Sequence, residues 1–169
     1  MSPAPGPAEF TETMARFATG VTVVTVRDGR DDIGSTISAF TSVSAEPPLV
    51  MVGVAKESYL CEVIDSQGRF AVNVLGEGQR AVAGRFAAEG RPSARLLLEG
   101  EAHRRGEHTG ALVLETAIAA LECCVEQRVA AGDHVVYIAA VETLPAVRPQ
   151  RPDEVRPLIR YGGRYRASG

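Results

Sequence analysis

Residues 118–143 read IAALECCVEQRVAAGDHVVYIAAVET. Ile118 to Val129 and His134 to Thr143 are two long extended segments. Between them, Ala130-Ala131-Gly132-Asp133 supplies the glycine that a hairpin loop uses. A long antiparallel hairpin late in the chain points to a mainly β protein whose neighbouring strands are joined by turns rather than helical crossovers. The segments before it agree. Val21-Thr22-Val23-Val24-Thr25-Val26 is β-branched throughout and reads as a strand. Arg27 to Asp32 carries turn chemistry, and a second strand runs from Ile33 to about Phe40. Pro47-Pro48 forces an extended entry into Leu49-Val50-Met51-Val52-Gly53-Val54, an apolar run suited to a buried central strand. Phe70 to Leu75 is a further strand, and Leu158 to Tyr165 leaves room for a last short one.

Helical spacing is sparse. Phe10, Met14 and Phe17 recur at i, i+4 and i+7, so a helix is expected through about Ala18, ended by Gly20. Ser58 to Asp65 and Gln79 to Ala88 are two more, with Leu60 and Ile64 on one face and Val82, Ala83 and Phe86 on the other. Arg91 to Glu101 fits no single template. Residues 1–8 (MSPAPGPA) hold three prolines and read as a flexible arm before one domain over residues 9–169. About seven strands and three short helices make a closed or nearly closed antiparallel β-barrel with helices packed outside.

Composition narrows the partners. Eighteen basic against 21 acidic residues in 169 leave a formal charge of −3, so no nucleic-acid footprint is expected. Ala111 to Leu121 is the longest mainly apolar stretch; it holds Glu115 and is too short to span a bilayer, so no membrane partner is expected. The N-terminus lacks the charged start and apolar run of a secretory signal. Three cysteines, two of them adjacent (Cys123, Cys124), make no disulfide framework. A reduced, cytoplasmic setting follows.

Three kinds of motif bear on chemistry. Gly76-Glu77-Gly78-Gln79-Arg80-Ala81 matches G-x-G-x-x-G/A between a strand and a helix, but no βαβ alternation follows, so a dinucleotide fingerprint is rejected. His103, His108, Cys123, Cys124 and His134 lack metal-ligand spacing, and no metal is expected. No nucleophile elbow is present. What remains is Gly34-Ser35-Thr36-Ile37-Ser38-Ala39-Phe40-Thr41-Ser42-Val43-Ser44, in which six of eleven residues carry hydroxyls. Small hydroxyls beside free backbone amides can hold a flat heteroaromatic ring and a sugar-phosphate arm. An exposed, threonine-rich edge strand has the same composition.

The ordered blocks TGVTVVTVRDG…GSTISAFTSVSAEPPLVMVGV, FAVNVL, LECCVEQRVAAGDHVVYIAAV and PLIRYGGRY resemble the short-chain flavin reductase family, from about Phe10 to Tyr165. The resemblance implies a flavin-binding split β-barrel, a homodimer, FMN or FAD as the flavin and NADH or NADPH as the hydride donor. It also implies that reduced flavin is passed to a flavin-dependent monooxygenase. Carried over by position, Thr36, Ile37, Ser38 and Ala39 would border the ring, and Ser42, Val43 and Ser44 would follow the ribityl arm. Lys56, Ser58, Arg85 and Phe86 would meet the phosphate. Asp133 and His134 belong to the nicotinamide-side block, with His134 the residue presented to the nicotinamide, and Tyr161 would lie near the same pocket. Two departures stand out: Gly162-Gly163 replaces the arginine common in the last motif, and the chain has no tryptophan. A non-catalytic flavin- or haem-binding module and an oxidase of the pyridoxamine-phosphate type are the competing readings on the same barrel.

Overall fold

The computed structural model describes residues 4–29, 31–149 and 155–169. Residues 1–3 of the expected arm, Arg30 of the first turn and residues 150–154 of the proline-rich loop lie outside them. In chain order the elements are α1 (Pro7–Met14), β1 (Thr19–Gly20), β2 (Thr22–Asp28), β3 (Asp31–Ile37), β4 (Phe40–Ala45) and β5 (Pro48–Ala55). Then come α2 (Tyr59–Gln67), β6 (Arg69–Val74), a single 3-10 turn at Glu77–Gln79 leading into α3 (Arg80–Ala87), and the one-turn α4 (Ala94–Leu97). The chain finishes with β7 (His103–Arg105), β8 (Leu112–Leu114), β9 (Ala119–Ala131), β10 (His134–Thr143), β11 (Ile159–Tyr161) and β12 (Arg164–Arg166).

Seven strands form one antiparallel sheet in the order β3-β2-β6-β9-β10-β5-β4. Its two edge strands, β3 and β4, are consecutive in sequence and separated only by Ser38 and Ala39. A sheet whose opposite edges are tied by two residues must coil back on itself. The ladder nevertheless stays open: β3 pairs only with β2 and β4 only with β5, and the link is stitched across by Gly53 N donating to Ala39 O at 2.8 Å. The barrel is therefore split, not closed. The strand expected from Ile33 to about Phe40 ends at Ile37, and Phe40 already begins the strand of the opposite edge.

Strand β2 explains its own composition. Val24 and Val26 join one buried cluster with Val52, Val54, Phe70, Val135 and the α2 residues Leu60 and Ile64. Val21 and Val23, flanking them, join a second cluster with Leu75, Val82, Phe86, Leu114 and Leu158. Burial on both faces requires an unbroken β-branched run rather than alternation.

The hairpin of β7 and β8 is docked by polar groups. Asn73 accepts from Leu114 N at 2.7 Å, and Thr25 Oγ1 donates to Leu112 O at 2.6 Å. The buried Asp32 takes the guanidinium of Arg105, and the buried Glu122 accepts from His108 N, Thr109 N, Thr109 Oγ1 and Thr143 Oγ1. These donors hold the Glu122 carboxyl below the usual carboxylate range, against the upward push of burial.

The ends of the chain differ from expectation. Helix α1 starts at Pro7, an N1 position that suits proline, and stops at Met14 instead of Ala18. Its apolar residues Phe10 and Met14, and Phe17 just beyond it, stay exposed, at 59%, 45% and 66%. Near the C-terminus the single strand expected is a hairpin, β11 to β12, whose Gly162 and Gly163 both have positive φ (+60° and +71°). The Gly76–Ala81 segment leads into no parallel strand among the described residues, whose strand pairings are all antiparallel.

Candidate functional site

The split of the barrel opens a cleft of about 240 Å³. One wall is the end of β3 and the link, Ser35 to Ala39; the other is Gly53, Val54 and Ala55 of β5. Ser58 and Leu60 at the start of α2 and His134 at the start of β10 complete it. Topology brings them together: His134 pairs with Ala55 across the β5–β10 ladder, and Lys56 N donates to Asp133 O at 2.9 Å.

The β3 wall is a sheet edge with no strand pairing beyond it; Arg91 and Ser93 take the carbonyls of Gly34 and Asp32, before the cleft begins at Ser35. Its hydroxyls divide in two. Thr36 Oγ1 donates to Ala83 O at 2.7 Å and ties β3 to α3, whereas Ser35 and Ser38 have no partner among the described residues. Gly53 allows the close approach that shapes the floor: a Cβ there would lie 3.0 Å from Ala39 Cβ. Ser58 caps α2, its Oγ accepting from Cys61 N at 3.2 Å and donating to Ala55 O at 2.7 Å. The helix is held against the hairpin by Tyr137, whose hydroxyl donates to Asp65 Oδ1 at 2.8 Å, while Arg128 bridges the same carboxylate at 2.7 Å.

At the rim Asp133 Oδ1 lies 2.8 Å from His134 Nδ1. The Asp133 carboxyl sits below its ordinary range, chiefly because of this bond, and an ionised carboxylate only accepts. Nδ1 therefore carries the proton, and Nε2 is the nitrogen left for a ligand.

Of the expected residues, the cleft gathers Thr36, Ile37, Ser38, Ala39, Ser58 and His134 along its walls. Lys56 and Asp133 stand beside it, joined by their backbones. The rest lie elsewhere. Ser42, Val43 and Ser44 run along β4 outside the cleft. Arg85 is engaged by Glu101 at 2.8 Å, and Phe86 is fully buried with its ring under Gly34, where a Cβ would meet it at 2.6 Å. Tyr161 is exposed next to the Gly162-Gly163 turn. Ser35, Gly53, Val54, Ala55 and Leu60 line the cleft without having been expected. Gly53, alone in an apolar strand, was the signal for a close approach. A larger cleft of about 610 Å³, bordered by Gly78, Gln79, Thr116 and Arg156, gathers none of the expected residues. Its charged lining is Glu77, Glu101 and Arg156, with Glu101 already paired to Arg85.

A flavin reductase like domain matches residues 14–169, nearly all of the chain. The chain belongs to this flavin reductase family. It is 39% identical over 157 residues to the reductase component of 4-hydroxyphenylacetate 3-monooxygenase from Thermus thermophilus, covering 93% of each chain. An NADH-dependent FMN reductase from Streptomyces nodosus subsp. asukaensis is 36% identical, with 95% of this chain and 84% of that one covered. The NADH:FAD oxidoreductase of Streptomyces globisporus superposes with a TM-score of 0.85 at 30% identity, over 100% of this chain and 99% of that one.

The reductase cleft suits a flavin. A free strand edge and the unpartnered Ser35 and Ser38 offer neutral hydrogen bonds to a heteroaromatic ring, and the capped start of α2 offers amides to a phosphate. At about 240 Å³ the cleft is smaller than the ~300 Å³ at which small-molecule pockets typically begin. A cleft of this size would enclose only part of such a ligand.

Proposed function

We propose that this protein is an NAD(P)H:flavin oxidoreductase that reduces FMN or FAD and supplies reduced flavin to a partner flavin-dependent monooxygenase. One observation carries the reading: His134 and the free edge of β3 from Ser35 to Ala39 face each other across one cleft. When both are bound, the flavin and the nicotinamide supply the hydride chemistry, and the protein supplies binding and orientation.

The chain's own residues have separable tasks. The β3 edge with Ser35 and Ser38 orients the ring through neutral hydrogen bonds, which release a product more readily than a set of fixed charges would. Thr36 keeps that edge in place through Ala83. Ser58 and Lys56 receive the phosphate arm at the start of α2, where the helix dipole favours an anion. Ser42, Val43, Ser44, Arg85, Phe86 and Tyr161 act outside the cleft of a single chain; Phe86 supports β3 from beneath Gly34. His134, oriented by the bond between its Nδ1 and Asp133, presents Nε2 to the nicotinamide amide.

Homodimer formation belongs to the same reading. The exposed α1 stripe of Phe10, Met14 and Phe17 needs a cover, and a second copy supplies it. Sedimentation equilibrium at micromolar concentration should return twice the chain mass; a monomer mass contradicts it. The three cysteines are free, which fits a reduced cytoplasmic setting, and no described helix is long and apolar enough to cross a membrane. The activity itself is tested by mixing the protein with NADH and FMN without oxygen. Accelerated loss of the flavin's visible absorbance supports a reductase, and binding without acceleration marks a pure flavin-binding module.

A further inference from the structure

Arg91 is a cation with no carboxylate. It lies between α3 and α4, half-buried, and no acidic side chain comes within 4 Å of its guanidinium among the described residues. Two main-chain carbonyls fix it: Nε donates to Gly34 O at 2.7 Å and Nη1 to Ala88 O at 3.1 Å. Neither bond neutralises its charge. Arg85, the cation expected from the sequence to meet phosphate, is already paired with Glu101, and Arg95 and Arg105 are paired with Asp32.

The position of Arg91 gives the unpaired charge a direction. Gly34 is next to Ser35, the first cleft residue of β3, and two residues from Thr36, roughly 7 Å along an extended strand. The carbonyl that Arg91 grips belongs to the same β3 strand whose end forms the cleft wall. A guanidinium held in fixed orientation, partly desolvated and without an anion, is suited to a phosphate oxygen. Burial alone lowers the pKa of Arg91, which is the mark of a cation missing its partner.

We propose that Arg91 binds the outer phosphate of a dinucleotide flavin whose ring occupies the Ser35–Ala39 cleft, so that this chain favours FAD over FMN. The proposal rests on the flavin reductase reading above. A cleft of about 240 Å³ leaves the nucleotide arm outside, and Arg91 holds the edge carbonyl of Gly34, one residue before the cleft wall begins at Ser35, while Phe86 covers the face of β3 at Gly34 itself. The phosphate nearest the ribityl chain meets Ser58 and Lys56; the second one, present only in FAD, reaches Arg91.

The test compares Arg91→Gln and Arg91→Lys with the parent protein for binding of FAD, FMN and riboflavin, followed by flavin fluorescence. For Arg91→Gln, FAD affinity should fall roughly tenfold or more, while FMN and riboflavin change less than twofold; Arg91→Lys should recover part of the FAD loss. Unchanged FAD affinity overturns the proposal. So does a parallel loss for FAD and FMN, which would place the inner phosphate at Arg91 or report a disturbed β3. NADH-driven reduction of riboflavin by the parent protein separates the two readings. If riboflavin is reduced and Arg91→Gln leaves FAD binding intact, only the Arg91 assignment fails; if no flavin is reduced, the reductase reading fails.

Discussion

Asp133 and His134 are sequence neighbours whose side chains meet, with Oδ1 2.8 Å from Nδ1, at the end of a two-residue hairpin loop. Gly132, with φ of +63°, makes that tight turn possible and delivers the pair to the rim of the cleft. The Gly-Asp-His order thus has a mechanical meaning: glycine turns the chain, aspartate fixes the imidazole, and histidine lines the cleft.

His134→Ala should slow flavin reduction by NADH, or raise its Michaelis constant, while leaving flavin affinity near the parent value. Loss of one oriented hydrogen bond is worth about 1–3 kcal/mol of transition-state stabilisation, roughly five- to a hundredfold in kcat/KM. Asp133→Asn should produce a smaller loss of the same kind, because the amide can offer its oxygen to Nδ1 but no longer holds it by charge. Stopped-flow traces at several NADH concentrations distinguish these from a defect in flavin binding.

Ser38→Tyr should abolish measurable flavin binding with the fold intact. Ser38 stands on the link between the two sheet edges, where an aromatic ring fills the cleft without entering the core. Flavin fluorescence quenching and a thermal melt check the two halves of this expectation. Undiminished flavin affinity would move the ring elsewhere.

Gly34→Ala should destabilise the protein by about 1–3 kcal/mol, since its Cβ would lie 2.6 Å from Phe86 Cε1 and 3.3 Å from Val24 O. Adding Phe86→Leu should restore part of the loss by vacating the space under the strand. Denaturant unfolding of the single and double variants measures both effects.

Stability should fall in acid partly through Glu122. Its folded carboxyl lies below the unfolded value, so its contribution is complete above the unfolded carboxylate range, near pH ~4.3, and fades as pH drops through the folded pKa. Glu122→Gln should lose about 1–3 kcal/mol at neutral pH, because an amide nitrogen then faces the donors of His108, Thr109 or Thr143. Its stability should also depend less on pH over the acidic limb. A variant as stable as the parent at neutral pH would show that these bonds contribute little.

Strands β2, β5, β6, β9 and β10 and the main hairpin were legible because their signal is local: β-branched runs, a glycine in a loop and prolines at an entry; β4 and the short β7–β8 hairpin were not. Division of the hydroxyl-rich segment at Ser38-Ala39 was not, since it depends on β3 and β4 lying at opposite edges of a rolled sheet. For the same reason Ser42, Val43 and Ser44 fall outside the cleft although they belong to the same run. Phe17 falls three residues beyond the end of α1, and periodicity does not say whether the apolar stripe it extends meets its own chain or another. Arg85 and Arg91 are indistinguishable by composition, and only Glu101 beside one and main-chain carbonyls beside the other set them apart.

The most direct measurement is anaerobic stopped-flow reduction of flavin by NADH with the parent protein and with His134→Ala. The account predicts a fast, protein-dependent loss of flavin absorbance in the parent and a rate at least fivefold lower in the variant at equal flavin occupancy. A flavin that binds with quenched fluorescence yet is reduced no faster than in free solution would contradict it.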